Sequence, residues 1–106
     1  MNKDSMQELV QKAIENYNLK TLPEINYIDL TSEIGEIGKE LLKGNEYGSK
    51  QFVKTENLEL EIGDAFFSLI CLANTLDINI YDALTSVIKK YDNRFKKKGH
   101  IGSEEI

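Results

Sequence analysis

Two short acidic stretches, Glu33-Ile34-Gly35-Glu36 and Glu61-Ile62-Gly63-Asp64, carry the residues of this sequence best suited to chemistry. Acids three apart on a helix are surface neighbours, with about 5–6 Å between their Cβ atoms, so each tetrapeptide offers a carboxylate pair. Two such pairs brought face to face make a cluster of four. Like charges about 4 Å apart repel by roughly 1 kcal/mol in water and about 4 kcal/mol near a protein surface, so the cluster calls for protonation or for a cation. Hard divalent cations take oxygen ligands, and Mg²⁺ is the natural occupant, with Mn²⁺ as the alternative. A glycine in mid-helix costs about 1 kcal/mol against alanine. Its repetition in both tetrapeptides predicts that two backbones, or a backbone and a ligand, approach closely there. A single acid pair at this spacing is more often an ordinary solvated face; the duplicated spacing and glycine tip the balance to a metal site.

Cations that could meet a phosphate lie further along. Lys90 and Arg94 stand one helical turn apart, and Arg94 is the only arginine; its planar fork suits bidentate recognition of phosphate oxygens. Lys96, Lys97 and Lys98 are better read as a basic last turn that complements a helix dipole. Lys54 closes a loop from which it could reach a phosphate, although a solvated lysine is the commoner role. His100 stands alone near the end, and no Ser/His/Asp or Cys/His arrangement can be assembled. There is no phosphate-cradling glycine loop and no Cys/His metal set. Acids that hold Mg²⁺, with cationic groups on a neighbouring helix, are what hydrolysis of a nucleoside triphosphate requires.

The elements that must position these groups read as helices. Residues 1–18 place Met6, Leu9, Val10, Ala13, Ile14 and Tyr17 at three- and four-residue spacings, which predicts an amphipathic helix. The stretch 18–24, with the only proline at 23, breaks it. A second pattern runs from about Asn26 to Lys43, with Gly44 as its expected C-terminal cap. The stretch 43–54 is the evident loop. A third helix is predicted from Thr55, as N-cap, to Leu76. Its second half, 65–76, is apolar at nine of twelve positions. A helix apolar nearly all round must be covered on most sides, and another subunit is the expected cover. Asn79 reads as the N-cap of a fourth helix over Ile80–Lys97, and residues 99–106 as a loose polar tail. No segment alternates as a strand does. The expectation is an all-α bundle of four to five helices completed by homodimerisation, with residues 1–98 as one domain and 99–106 as the tail.

Composition narrows the field. At 106 residues, 41% hydrophobic and 29% charged, the chain has the make-up of a folded domain and not of a disordered one. No apolar run approaches the roughly 18 residues of a membrane span, and no leader opens the sequence, so a cytoplasmic protein without a membrane partner is expected. The net charge of −5 argues against a general nucleic-acid binder. Cys71, the only cysteine, lies in an apolar run and reads as a buried, inert thiol.

The pattern Glu33-x-x-Glu36, 24 intervening residues, then Glu61-x-x-Asp64 within Glu61-Ile62-Gly63-Asp64-Ala65-Phe66-Phe67-Ser68-Leu69 resembles the MazG-like nucleotide pyrophosphohydrolases of the all-α NTP pyrophosphatase superfamily. The likeness continues through Leu72-Ala73-Asn74-Thr75-Leu76-Asp77-Ile78-Asn79 and Ala83-Leu84 to Lys90 and Arg94, roughly residues 28–95. It implies that Glu33, Glu36, Glu61 and Asp64 coordinate Mg²⁺ and form the catalytic centre. It also implies cleavage of a (d)NTP between the α and β phosphates, with Lys90 and Arg94 holding phosphates and the subunits forming a homodimer or homotetramer. Many members carry a further glutamate directly before the first motif acid, where this chain has Ser32. Serine cannot replace a carboxylate, so no general base is assigned, and which nucleobase is accepted stays open. The rival readings are a non-catalytic helical interaction module and a nucleotide sensor.

Overall fold

The second and third helices start away from their sequence signals, whereas the fourth starts where Asn79 signals it. In this computed structural model, which describes residues 5–102, there are four helices and no strand among the described residues. The beginning expected at Met1 and the end of the tail at 103–106 lie outside them. Helix α1 spans Ser5–Asn16 and buries Val10 and Ile14. It stops where Asn18 takes a left-handed conformation (φ 53°) and the Leu19 amide returns to the Ile14 carbonyl at 3.0 Å.

Helix α2, Pro23–Gly44, begins three residues before the expected start, because Pro23 occupies its first turn. A proline is pre-set for a helix there, and its missing N–H is one the first turn leaves unpaired anyway. Gly44 is the last helical residue and not a left-handed cap; Asn45 follows at φ −115°. The glycine serves contact instead: a Cβ there would lie 2.8 Å from the Val53 carbonyl oxygen and run into the Phe52 ring. The loop thus folds back onto the end of α2, and the Val53 amide donates to the Gly44 carbonyl at 2.8 Å.

Helix α3 spans Leu58–Thr75. It does not start at Thr55, because the Thr55 hydroxyl is committed across the hairpin to Glu40 at 2.6 Å. Helix α4, Ile80–Lys98, follows its capping signal: the Asn79 side chain accepts from the Asp82 amide at 3.0 Å, and Gly99 closes the helix at φ 76°. Arg94 Nη1 donates to the Ile101 carbonyl at 3.1 Å, so the start of the expected loose tail is tied down.

Helices α2 and α3 form an antiparallel hairpin, fixed in direction by bonds at both ends. Thr55 meets Glu40 at one end, and at the other the Thr75 hydroxyl lies 3.0 Å from Asn26 Oδ1. On its other side α3 packs on α1 through Val10, Ile14, Ile70 and Cys71, with Met6, Phe67 and Ile80 at the margin. An amide clamp reinforces this joint. Gln7 Nε2 donates to Asn74 Oδ1 at 2.8 Å and to the Ile78 carbonyl at 2.9 Å, while Gln7 Oε1 accepts from the Ile80 amide at 2.9 Å.

Cover is incomplete within one chain. Phe66, Leu69 and Ile62 of α3 remain exposed, and α4 buries no residue, leaving Tyr81, Leu84, Ile88 and Phe95 open. The radius of gyration is 17.2 Å, against about 13 Å for a compact chain of about 100 residues. Ile70, at 2% exposure, is the best-covered side chain of the core. Ile70→Ala is expected to lower unfolding free energy by about 2–5 kcal/mol, read from urea midpoints at constant m-value.

Candidate metal centre

The acids meet because α2 and α3 turn matching stripes toward each other. On α2 the less exposed positions include Asn26, Leu30, Glu33, Ile37 and Glu40; on α3 they include Leu58, Glu61, Ala65, Ser68 and Thr75. Each set recurs at three- and four-residue spacing, which keeps it on one helical face. Glu33 therefore stands in the middle of the seam, with Glu61 and Asp64 coming from α3. One carboxylate oxygen from each of Glu33, Glu61 and Asp64 lies within 4.8 Å of the others.

The fourth expected acid is placed differently. Glu36, one turn from Glu33, stays outside that trio and turns toward Lys39 at 4.0 Å, both side chains being well exposed. The glycines do not mark where the helices approach: a Cβ on Gly35 or Gly63 would meet nothing within 4 Å. Both residues point away from the α2–α3 stripe, so the close approach expected of them does not occur within the chain.

Electrostatics fit a cation. Burial, followed by the charges of Asp64, Glu61, Glu36 and Asp29, pushes the Glu33 carboxyl above its ordinary value of 4.5. The ion pairs among the described residues engage Glu36, Glu40, Glu46 and Asp92, and none engages Glu33, Glu61 or Asp64. Ligands 2.0–2.6 Å from a hard cation stand no more than about 5 Å apart, so the observed trio matches such a donor set without rebuilding the backbone.

Of the expected cationic groups, none touches the acids. Lys90 Nζ lies 5.2 Å from the Tyr91 ring centroid, Arg94 is bound to Ile101, and Lys54 lies on the exposed loop. Cys71 is buried, and burial raises its thiol pKa, which keeps it protonated and unreactive as its apolar setting suggests.

Sequence reasoning missed Glu40. This carboxylate is 6% exposed. The Thr55 hydroxyl donates to one of its oxygens at 2.6 Å and Lys43 Nζ to the other at 3.2 Å. These two bonds, Thr55's foremost, hold Glu40 below the usual carboxylate range, the opposite of Glu33. The available signal was its spacing, seven residues beyond Glu33 and so on the same helical face.

Residues 21–98 match the family model of the MazG nucleotide pyrophosphohydrolase domain. YpjD of Bacillus subtilis (strain 168), described as uncharacterised, is 42% identical over 72 residues, a match covering 65% of this chain and 63% of that protein. The match thus spans somewhat under two thirds of YpjD's length. A crystal structure of YpjD, provisionally assigned as a pyrophosphatase, superposes with a TM-score of 0.71 at 36% identity, covering 89% of this chain and 95% of that one.

The raised Glu33 pKa fixes a sign. Its contribution to metal-free stability is full below its ordinary pKa and is lost as pH rises through the raised value. Near neutral pH in EDTA, Glu33→Gln is therefore expected to melt above the wild type, with the difference shrinking toward pH 4. Millimolar Mg²⁺ or Mn²⁺ should raise the wild-type Tm and leave that of Glu33→Gln unmoved, by differential scanning fluorimetry.

Proposed function

The chain belongs to the MazG nucleotide pyrophosphohydrolase domain family, hydrolases of nucleotide pyrophosphate bonds, and on that premise we propose that it is a Mg²⁺-dependent nucleoside triphosphate pyrophosphohydrolase. It cleaves a (d)NTP between the α and β phosphates into monophosphate and pyrophosphate, a role suited to policing the nucleotide pool. The observation that carries the reading is the meeting of Glu33, Glu61 and Asp64 within 4.8 Å with no cationic side chain among them.

In this reading Glu33, Glu61 and Asp64 hold the cation, with Mn²⁺ as a substitute for Mg²⁺, and Glu36 joins them. Its exposed pair with Lys39, at 4.0 Å, is worth at most about 1 kcal/mol and does not prevent a change of rotamer. When bound, the cation supplies neutralisation of the charge that grows on the phosphates and polarises the attacking water. Arg94 exchanges the Ile101 carbonyl for a phosphate oxygen, a stronger charge-assisted partner. Lys90 adds a second positive charge one turn away, and Lys54 a third from the loop. The open apolar faces of α3 and α4 are covered by a second subunit, in a homodimer or in a homotetramer.

Ser32 favours one other reading. With no acid at that position, a nucleotide sensor would bind its ligand and turn it over poorly. The two part in a pyrophosphate-release assay over a nucleotide panel at millimolar Mg²⁺. The enzyme is expected to release pyrophosphate from at least one nucleotide, and Glu61→Gln and Asp64→Asn each to lower kcat by about 100-fold or more. Saturable binding without product would favour the sensor, and neither binding nor product would leave a helical interaction module.

A further inference from the structure

We infer that Glu40 is a positioning residue for the acidic centre, acting through its bond to Thr55 as a latch that sets the register of the α2–α3 hairpin. The inference rests on the reading of Glu33, Glu61 and Asp64 as cation ligands. Glu40 lies in the same stripe of α2 as Glu33, two turns on, and is nearly closed to solvent at 6% exposure. An apolar residue there would be easier to bury, because a buried charge is costly unless both of its oxygens are satisfied. Both are satisfied, by Thr55 and by Lys43. What a buried polar pair supplies that an apolar contact does not is register, since a slipped helix leaves the charge unpaired.

The place of the latch supports this use. Thr55 ends the loop and stands six residues before Glu61, so whatever fixes Thr55 fixes the first turn of α3. The Thr55 hydroxyl forgoes capping that turn, and no side chain caps α3 at Asn57. The loop arrives at Thr55 already anchored by the Val53–Gly44 backbone bond and by Phe52 against Gly44. Just beyond Thr55, Leu58 is buried at 8% exposure. Three acids drawn together repel one another, and that repulsion is opposed mechanically by an anchor on each side of them. The latch is the anchor on the Glu61 side.

Thr55→Val removes the hydroxyl at nearly constant shape, and Thr55→Ser keeps it. Both are compared with wild type by amide hydrogen exchange in EDTA and by calorimetric titration with Mn²⁺. In Thr55→Val, amides 61–65 should exchange about tenfold faster or more while those of the Ile70–Ala73 core are unchanged, and Mn²⁺ affinity should fall about tenfold. Thr55→Ser should match wild type in both measurements. Unchanged exchange at 61–65 in Thr55→Val overturns the latch. So does wild-type Mn²⁺ affinity in that variant alongside faster exchange, which would make the bond merely structural. If wild type takes up no Mn²⁺, the metal reading fails, and the latch is decided by exchange alone.

Discussion

The antiparallel packing of α2 on α3 is the constraint from which the rest of this molecule follows. Three polar levels mark the seam: Asn26 with Thr75 at one end, Glu33 with Glu61 and Asp64 in the middle, and Glu40 with Thr55 at the other. The outer two are satisfied by hydrogen bonds, whereas the middle one collects negative charge. Apolar residues between the levels supply the non-directional part of the packing. The polar pairs supply direction and register, because each meets its partner across the seam at one height.

That arrangement places opposite pressures on two glutamates of one helix. Burial and neighbouring acids push the Glu33 carboxyl up, and the Thr55 and Lys43 bonds hold the Glu40 carboxyl down. By linkage, Glu40 adds stability above its ordinary pKa and loses it as pH falls through its lowered value, while Glu33 does the reverse. A fold that keeps an unrelieved charge cluster between satisfied ends is one that a cation would relax. The same economy appears in the rest of the chain, where α1 is clamped to α3 by Gln7 and Asn74 while α4 stands outward with its apolar face open.

The family match and the acidic cluster fall on the same helices. The match over residues 21–98 takes in all of α2, α3 and α4, and the superposition on YpjD at TM-score 0.71 extends over 89% of the chain. The carboxylates that the spacing alone singles out are carried by the helices that the family pattern spans. Glu40 and Thr55 belong to the same hairpin, and they bind each other and not the trio.

Much was legible from residues alone, for a reason that is local. Helix type follows from apolar spacing within a dozen residues, and the cap at Asn79 is a signal read within one turn, so the all-α class and the start of α4 needed no partner to be seen. The acid pairs were visible because three-residue spacing is set by helical pitch. Only the tertiary structure decided what depends on residues distant in the chain: that Thr55 bonds Glu40 and does not cap α3, that Gly44 makes room for Phe52, and that Gly35 and Gly63 face open space. It also decided that Glu61 and Asp64 join Glu33 while Glu36 stays outside the trio. Those outcomes are choices among partners, and a side chain's partner is fixed by the register of two helices, which no single stretch of sequence contains.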